Sequence, residues 1–306
     1  MADGANGVAN PQLEFASAGG GILNQAGAEL TLDNVVVFNN TAIGDPNFTI
    51  MPTSAATVSG GAIGGGVANF GTLFVNNSTF RANNSIGADD AIGVFSGSAF
   101  AGAIANYNSA TISDSQFKNN ITQAGDNGDG TFAAIASGGA VFNELFLKIE
   151  GSSFRRNQAI GGNDSIAETH NGHSLGGAIL SGTLVPGQDS TLIIEDSTFD
   201  ANKSLGGDNN QIKDGYIPPE ADAPNNAYGG AITVFQGNAT ISETSFSRNL
   251  AQAGDGGGDQ NGSLGVGGGV FLFDLLGSEN EITHEIFDCM FVGNKALGGD
   301  GINGGC

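Results

Sequence analysis

Short segments of this chain alternate hydrophobic and polar residues. The segments ATISDSQF at 110–117 and NATISETSF at 238–246 place apolar side chains at every second position for part of their length. Alternation with a period of two predicts β-strands that bury one face. Gly, Asn and Asp interrupt these segments, which favours turns between short strands, and no segment shows a convincing helical period.

The hydrophobic positions also recur over a longer distance. Seven copies of one pattern occur, between 37 residues (80 to 117) and 47 residues (199 to 246) apart. Position zero of each copy is apolar, position +3 is always asparagine and position −5 is always aliphatic. The zero positions are Val37, Phe80, Phe117, Phe154, Phe199, Phe246 and Phe291. The asparagines are Asn40, Asn83, Asn120, Asn157, Asn202, Asn249 and Asn294.

A second motif, Gly-Gly-(Ala/Gly)-(Ile/Val), lies upstream of each copy. Its second glycines are Gly20, Gly65, Gly102, Gly139, Gly177, Gly230 and Gly268. Units of this size cannot bury an apolar face alone, so they must stack on one another. The pattern predicts an all-β fold, a parallel β-helix of about seven rungs with Gly/Asp/Asn-rich loops at one corner. Two rungs per repeat is the alternative, because some of the loops contain apolar residues.

Stacking turns each repeated position into a column of side chains. Equivalent residues on neighbouring rungs are expected about 4.8 Å apart. Phe and Ile columns would form the core, and the asparagine column would pair its amides along the axis while satisfying backbone groups of the turn. Glycine fits where a corner is tight or two backbones approach closely. We therefore assign the asparagines and glycines to the fold rather than to catalysis.

The repeats also define the domain organisation. A lead-in at 1–18 is followed by a single β-helix domain at 19–306. Its repeats span approximately 19–60, 61–98, 99–136, 137–174, 175–227, 228–265 and 266–306.

Together the two motifs resemble the repeats of polymorphic outer membrane proteins, the surface autotransporters best known from chlamydiae. GGAI or GGAV stands at 60–63, 138–141, 176–179 and 229–232. Phe-x-x-Asn stands at 80–83, 117–120, 154–157, 199–202, 246–249 and 291–294. Similar repeats occur in secreted bacterial proteins with pectin-lyase-like right-handed β-helices. The resemblance implies a right-handed β-helix in an adhesive region, located extracellularly or on a bacterial cell surface, with a host-cell or matrix glycan or protein as partner.

The charge of the chain restricts its partners. It carries 31 acidic and 9 basic residues, a formal net charge of −22. Such a chain should be repelled by nucleic acid and anionic lipid, so we expect no nucleic-acid partner. No apolar stretch approaches the roughly 20 residues of a membrane span, so we expect no direct membrane insertion of this segment. The N-terminal residues MADGANGVANPQ lack a basic start and an apolar segment, which argues against a signal peptide and suggests a fragment.

An acidic column is the main candidate for chemistry. An acid stands at +8 in the first copy and at +9 in five others, and Asn163 takes that position in the remaining copy. These acids are Asp45, Asp89, Asp126, Asp208, Asp255 and Asp300. Oxygen ligands in flexible Gly-rich turns suit Ca²⁺, so the column is a candidate Ca²⁺ ladder. The competing interpretation is that these aspartates make Asx turns and are solvated.

Other candidate residues are less repetitive. His170 and His173 lie in the segment NDSIAETHNGH, which is interpreted as a polar loop or a transition-metal pair. Cys289 occupies position −2, where most copies have Ser or Thr, so we expect a buried inert thiol, with pairing to Cys306 left open. His284 interrupts the aliphatic column at −7, which we interpret as a local change of register.

Basic residues at +1 bear on the enzymatic hypothesis. Arg81, Lys118 and Arg155 share this position on neighbouring rungs and could form a stripe toward an acidic saccharide. Acids at −3 and −4 are expected to neutralise much of it. No copy contains a singular cluster of the kind that catalysis needs.

Three functional hypotheses follow. The first is a non-enzymatic extracellular or cell-surface module, adhesin-like or stalk-like, with Ca²⁺ as a candidate stabilising ion and loops, above all 206–228, as the contact surface. The alternative is a polysaccharide lyase, hydrolase or epimerase of the pectin-lyase-like superfamily. The third hypothesis is a filament or surface-layer subunit that self-associates end to end through unpaired strand edges.

Overall fold

The structure, a computed structural model, describes residues 17–45, 58–182, 189–213, 224–256, 262–274 and 282–300. These residues are all β, arranged as six parallel sheets that stack in register. This arrangement is consistent with a parallel β-helix or solenoid, and we call it the solenoid. No helix in the ranges just given has the length and apolarity to cross a membrane.

Each rung passes through the sheets in the same order, and we number the sheets in that order. Sheet 1 contains Ser17–Ala18, Ala62–Ile63, Ala99–Phe100, Ala136–Ser137, Ser174–Leu175, Ala227–Tyr228 and Gly265–Val266. Sheet 2 contains Ile22–Asn24, Val67–Asn69, Ile104–Asn106, Val141–Asn143, Ile179–Gly182, Ile232–Phe235 and Val270–Phe273. Sheet 3 contains Glu29–Asp33, Thr72–Asn76, Ser109–Ser113, Phe146–Glu150, Ser190–Glu195, Gly237–Ser242 and His284–Phe287.

The remaining three sheets complete the rung. Sheet 4 contains Val36–Phe38, Thr79–Arg81, Gln116–Lys118, Ser153–Arg155, Thr198–Asp200, Ser245–Ser247 and Met290–Val292. Sheet 5 contains Thr41–Ile43, Asn84–Ile86, Ile121–Gln123, Gln158–Ile160, Lys203–Leu205, Leu250–Gln252 and Lys295–Leu297. Sheet 6 contains Val58–Ser59, Ile92–Ser96, Asp129–Ala133, Ile166–Asn171 and Gln211–Ile212.

Each sequence repeat contributes one rung. Phe80 pairs with Phe117, and Phe117 pairs with Phe154, so equivalent residues of the repeat are direct neighbours across the sheet. Sheets 1 to 5 each take a single strand from every repeat. The alternative of two rungs per repeat is therefore wrong. The strand Ser17–Ala18 already pairs with Ala62–Ile63, so the solenoid includes the end of the predicted lead-in.

The repeated apolar positions form the core. The side chains of Phe80, Phe117, Phe154, Phe199 and Phe246 are fully buried. Their rings stack from rung to rung with centroids between 4.6 Å and 5.0 Å apart, a spacing that matches the rise between rungs. The aliphatic column at −5 packs against them, as Ile112 and Ile149 show. The predicted Phe and Ile core is confirmed.

The glycine pairs serve two different purposes. The first glycine of the pair at 138–139 has φ of 67° and would clash with the backbone oxygen of Val141 if it carried a Cβ. The second glycine of this pair packs against sheet 5, since a Cβ on Gly139 would lie 2.6 Å from the backbone nitrogen of Gln158. One GGAI motif does not lie at the position in the rung that the sequence pattern predicts. Ala62–Ile63 of the GGAI at 60–63 pairs in sheet 1, whereas Val67, which follows Gly64–Gly66, pairs with Ile104.

Candidate functional site

The seven asparagines at +3 form one continuous hydrogen-bonded column. The Nδ2 atom of Asn120 donates to Oδ1 of Asn157 at 3.0 Å, and also to the backbone oxygen of Phe80 at 3.0 Å. The backbone nitrogen of Asn120 donates to the same Oδ1 at 3.0 Å. The same pattern of side-chain bonds runs from Asn40 to Asn294. The amides of the inner members, from Asn83 to Asn249, are fully used by neighbouring rungs, so they have a structural role.

A second column of amide side chains lies at the end of sheet 2, and the sequence analysis did not predict it. The Nδ2 atom of Asn69 donates to Oδ1 of Asn106 at 2.7 Å, and that of Asn106 donates to Asn143 at 2.8 Å. Asn24 and Ser181 extend the column in both directions. The signal was available in the sequence, since these residues lie four positions after the second glycine of each motif.

The predicted acidic column exists as a chain of contacts between rungs. The backbone nitrogen of Asp126 donates to Oδ1 of Asp89 at 2.9 Å, and that of Asn163 donates to Oδ1 of Asp126 at 2.8 Å. The column continues to Asp208, Asp255 and Asp300 through the same type of bond. One oxygen of Asp89, Asp126, Asp208 and Asp255 therefore accepts a backbone N–H of the next rung. Asp45 is exposed on the first rung.

This geometry bears directly on the Ca²⁺ hypothesis. These bonds join residues 37 to 47 positions apart, so they link neighbouring rungs and are not the local bonds of an Asx turn. The Asx-turn interpretation of the aspartates stays a prediction as well. No group of three or more His, Cys, Asp or Glu side chains that could hold a metal ion occurs within the described ranges. Part of the Gly/Asp-rich segment 254–262 lies outside those ranges. Ca²⁺ binding by the column therefore stays a prediction.

The basic stripe is in register but is partly neutralised. Arg81, Lys118 and Arg155 pair with one another in sheet 4, and Asp200 occupies the next position of the same column. The carboxylate of Asp200 contacts Arg155 at 3.4 Å and Arg248 at 2.6 Å. Burial would raise the pKa of Asp200, but hydrogen bonds from Arg248 and Ser247 and the two positive charges bring its pKa below the ordinary value. For Arg155 the neutralising acid is thus Asp200, which belongs to the same column. Neutralisation by the acids at −3 and −4 stays a prediction.

The histidine segment is mostly a strand rather than a loop. Ile166–Asn171 pairs in sheet 6, where His170 stacks on Phe132 with ring centroids 5.3 Å apart. His173 is buried, and its Nδ1 accepts a hydrogen bond from the backbone nitrogen of Asn226 at 3.1 Å. That contact uses one ring nitrogen for a structural bond. The histidines therefore belong to the rung architecture.

The last rung corrects two further expectations. His284 pairs with Ala239 in sheet 3, so the aliphatic column continues in register and His284 takes the place of an aliphatic residue. Partial burial lowers the pKa of His284, and the charge of Asp274 partly opposes this shift. Cys289 is only half buried rather than buried, because it lies on the last described rung. Its pairing with Cys306 lies outside the described residues.

The loop predicted as the contact surface, 206–228, is described only in its flanks, 206–213 and 224–228. Lys213 at its start forms an ion pair with Asp129 at 2.6 Å and lies 4.0 Å from Glu168. These contacts hold the loop start against sheet 6.

The singular feature that sequence reasoning missed is an aromatic surface on sheets 1, 2 and 6. We define the aromatic face as Phe70, Phe95, Phe100, Tyr107, Phe132 and Phe142. The rings of Phe70 and Tyr107 stack with centroids 4.9 Å apart, and Tyr107 lies 5.3 Å from Phe142. Most of these side chains are half buried, and they adjoin a second hydrophobic cluster separate from the core. Phe95 and Phe132 occupy the same position on neighbouring rungs, whereas the other positions of the aromatic face change from rung to rung.

One carboxyl group interrupts the aromatic column. Phe70, Tyr107 and Glu144 each follow an asparagine of the second amide column, and Gly182 and Phe235 take the next two positions. Glu144 has only 7% of its surface exposed. Burial raises the pKa of Glu144 to about 7. Burial, with a smaller effect of the Glu144 charge, also raises the pKa of Tyr107 well above its usual value.

The site could not have been recognised from spacing alone, because Glu144 occurs once and is flanked by ordinary residues. Aligning the repeats at the second amide column would have shown a single acid among aromatic residues. A comparison of the chain with protein-family models found no match. Comparisons with curated proteins and with solved structures found no match either.

Proposed function

We propose that this chain is a right-handed parallel β-helix that acts as a non-enzymatic, extracellular or cell-surface module of a bacterial protein. The observation that carries the proposal is the use of the repeated polar residues. Amides of the Asn40–Asn294 column and carboxylates of the acidic column hydrogen-bond to the next rung, so the repeat builds a stiff rod. The extracellular location and the handedness rest on the resemblance of the repeats.

The recognition surface of this rod is the aromatic face. Half-exposed rings that differ between rungs offer flat apolar surfaces, and sugar rings present apolar C–H groups to such surfaces. The net charge of −22 repels polyanions, so the chemistry favours a neutral glycan over an acidic one. The proposed partner is therefore a neutral host-cell or matrix glycan.

Calorimetric titration with cellohexaose and chitohexaose tests this surface. We expect Tyr107→Leu to weaken binding by about 1 kcal/mol, roughly fivefold, because it removes a stacking ring while keeping an apolar side chain. Phe38→Leu is the matched control, since Phe38 is an exposed aromatic residue on sheet 4, away from the aromatic face. Absence of binding by the unmodified protein, or an equal loss in both variants, would contradict the glycan assignment.

Glu144 favours a second candidate function, a glycan-cleaving enzyme. A carboxyl group with its pKa raised to about 7 is protonated near neutral pH and can act as a general acid. It also adjoins the aromatic face. Within the described part of the chain no second carboxyl group influences it, whereas glycoside hydrolysis ordinarily uses a pair. Because no such pair is found in the described part of the chain, we place the enzyme second to the binding module.

Product analysis separates the two candidates. The protein is incubated with neutral and acidic polysaccharides, and new reducing ends and unsaturated products are measured. The binding module predicts no product. Product formation that is lost in Glu144→Gln but kept in the exposed-site control Glu195→Gln would replace the first proposal with the second.

A further inference from the structure

One acidic side chain beside the aromatic face lacks a partner of its own. Glu144 follows Tyr107 in the column that continues sheet 2, on the side of Tyr107 away from Phe70. Only 7% of its surface is exposed, and within the described ranges no hydrogen bond or ion pair reaches its carboxyl group. Its oxygens are not among the fully enclosed polar atoms of those ranges that lack a partner, so the carboxyl group still reaches solvent. A ligand can therefore contact it.

The basic residues of the chain do not supply the missing charge. Lys148, the basic residue nearest to Glu144 in the sequence, contacts Glu150 at 3.3 Å. Burial raises the pKa of Glu144, and no positive charge of the described chain offsets this shift. The segment 183–188, which follows Gly182, reads TLVPGQ and contains no basic residue. Because a buried carboxylate without a counter-charge is costly, a cationic ligand would be stabilised at this position.

Aromatic rings complete the surroundings of the carboxyl group. The ring of Tyr107 stacks on Phe70 at 4.9 Å, and the tilted ring of Phe142 lies 5.3 Å from it. The pKa of Tyr107 lies well above its usual value, so its phenol stays neutral. The face of such a ring attracts a cation within about 6 Å of its centroid. One rung beyond Glu144 the column continues with Gly182, which has no side chain to cover the carboxyl group.

The polar groups of the site favour a cation that has no N–H groups. Apart from the Tyr107 hydroxyl, the side chains of the aromatic face are phenylalanines, which accept no ordinary hydrogen bond. A primary ammonium group has three N–H donors, and donors left unsatisfied on binding reduce the affinity. A quaternary ammonium group has no such donors and presents apolar methyl groups to the rings.

We propose that Tyr107, Phe142 and Glu144 form a binding site for a soluble quaternary ammonium compound of the size of choline. The rings contact the methyl groups, and the carboxylate of Glu144 supplies the opposite charge. The inference rests on the proposed function in taking the aromatic face as a recognition surface, and it adds a cationic ligand to the glycan.

Ligand-observed NMR titrations with choline and its neutral isostere 3,3-dimethylbutan-1-ol test the proposal. They are made at about pH 8.5, where Glu144 is ionised, and in about 0.3 M NaCl, which screens the general attraction of a cation to an acidic chain. We expect choline to bind at least about tenfold more tightly than the isostere. Glu144→Gln should weaken choline binding by at least about tenfold and leave the isostere unchanged. Glu195→Gln is the matched control, because it removes the same charge from an exposed position, and it should bind choline normally.

Two further variants test the ring. Tyr107→Phe should keep choline binding, whereas Tyr107→Leu should weaken it about fivefold, because only the first retains an aromatic face. Equal affinity for choline and the isostere would overturn the proposal. So would absence of choline binding, or equal losses in Glu144→Gln and Glu195→Gln.

The outcome is distinguishable from that of the glycan titration. Binding of cellohexaose without choline binding would overturn this inference and leave the proposed glycan partner in place. Choline binding that depends on Glu144, without binding of cellohexaose or chitohexaose, would overturn the glycan partner and support the cation site.

Discussion

At the residue scale, burial decides the role of each polar side chain. Asn157 is fully buried and has a partner for each of its amide hydrogens and for its oxygen. Glu144 is nearly as buried, yet the structure records no hydrogen bond to its carboxyl group among the described residues. Asn157 stabilises the solenoid through its hydrogen bonds, whereas the burial of Glu144 costs folding free energy, and this cost depends on whether the carboxyl group is ionised.

The Asn157→Ala substitution should destabilise the protein strongly. It removes the side-chain donor to the backbone oxygen of Phe117 and one of the two donors to the Oδ1 of Asn202. It also removes the acceptor of the backbone N–H and of one amide hydrogen of Asn120. Buried groups left unsatisfied cost about 1–3 kcal/mol each, so a total loss of several kcal/mol is expected. Urea denaturation measures it. Asn108→Ala is the control, because Asn108 is exposed, and it should change stability little. Comparable losses of stability in the two variants would contradict the structural role of the asparagine column.

The ionisation of Glu144 should make stability fall as the pH rises. Its pKa is about 7 in the folded protein against 4.5 ordinarily, so between these values the unfolded chain loses a proton that the folded protein keeps. Stability is therefore full below about pH 4.5, declines up to about pH 7 and is then constant, a total loss of about 3 kcal/mol. Glu144→Gln should remove this decline in urea midpoints measured across the range, whereas Glu195→Gln should retain it. A decline that persists in Glu144→Gln would assign it to another group.

The residues also show what the sequence could and could not predict. Asn40–Asn294 and Phe80–Phe291 were identifiable because each position recurs in every rung, and in-register stacking follows from recurrence. The aromatic face was not identifiable in this way, because its members vary between rungs and their proximity depends on the angle between sheets 6, 1 and 2. His284 was misinterpreted because a polar residue in an aliphatic column is compatible with either a register change or a substitution at a position that is only partly buried.

At the element scale, the corners between strands require backbone conformations that most residues avoid. The corner before sheet 2 has positive φ in every rung, supplied by glycine in six of them and by Ala101 in the other. The turn at Asn34 and its equivalents also has positive φ, supplied mainly by Asn, Asp or Gly. Short polar side chains and glycine tolerate this region best. The high glycine content therefore follows from the number of corners.

A comparison of Gly27 with Gly138 distinguishes the cost of a strained backbone conformation from the cost of a steric clash. Gly27 and Gly138 both have positive φ, but a Cβ on Gly27 meets nothing within 4 Å, whereas one on Gly138 meets the backbone of Val141. Gly27→Ala should cost about 1 kcal/mol, the penalty for an L-residue in this region. Gly138→Ala should cost clearly more, because the backbone of the corner must also shift. Thermal unfolding of both variants measures the difference, and equal costs would show that the corner relaxes freely.

At the scale of the whole molecule, stacking concentrates charge as well as hydrogen bonds. The same register that aligns the asparagines aligns Asp89 with Asp126, and Asp208 with Asp255, in a chain of net charge −22. Two carboxylates one strand spacing apart repel by about 0.9 kcal/mol even in bulk water. The solenoid is therefore stabilised by hydrogen bonds between rungs and destabilised by charge repulsion along the same column.

Salt should stabilise the protein, and the acidic column should account for a measurable part of this effect. Raising NaCl from about 0.02 M to 0.3 M shortens the electrostatic screening length to well below the length of the solenoid. Repulsion along the acidic column then weakens, so the melting temperature should rise. The double variant Asp89→Asn/Asp126→Asn keeps both side-chain oxygens that accept the backbone N–H groups, as Asn163 already does in this column. It should melt higher than the unmodified protein at low salt and converge with it at high salt, whereas Asp33→Asn, an exposed acid of the first rung, should have a smaller effect.

The same titration decides between screening and specific Ca²⁺ binding. If the carboxylates act only through their hydrogen bonds to the next rung, CaCl₂ and NaCl at equal ionic strength should raise the melting temperature equally. We expect this outcome because one oxygen of each carboxylate is already bonded to the next rung. An additional rise in CaCl₂ that disappears in the double variant would establish the acidic column as a Ca²⁺ ladder. An additional rise that the double variant retains would place Ca²⁺ elsewhere in the protein.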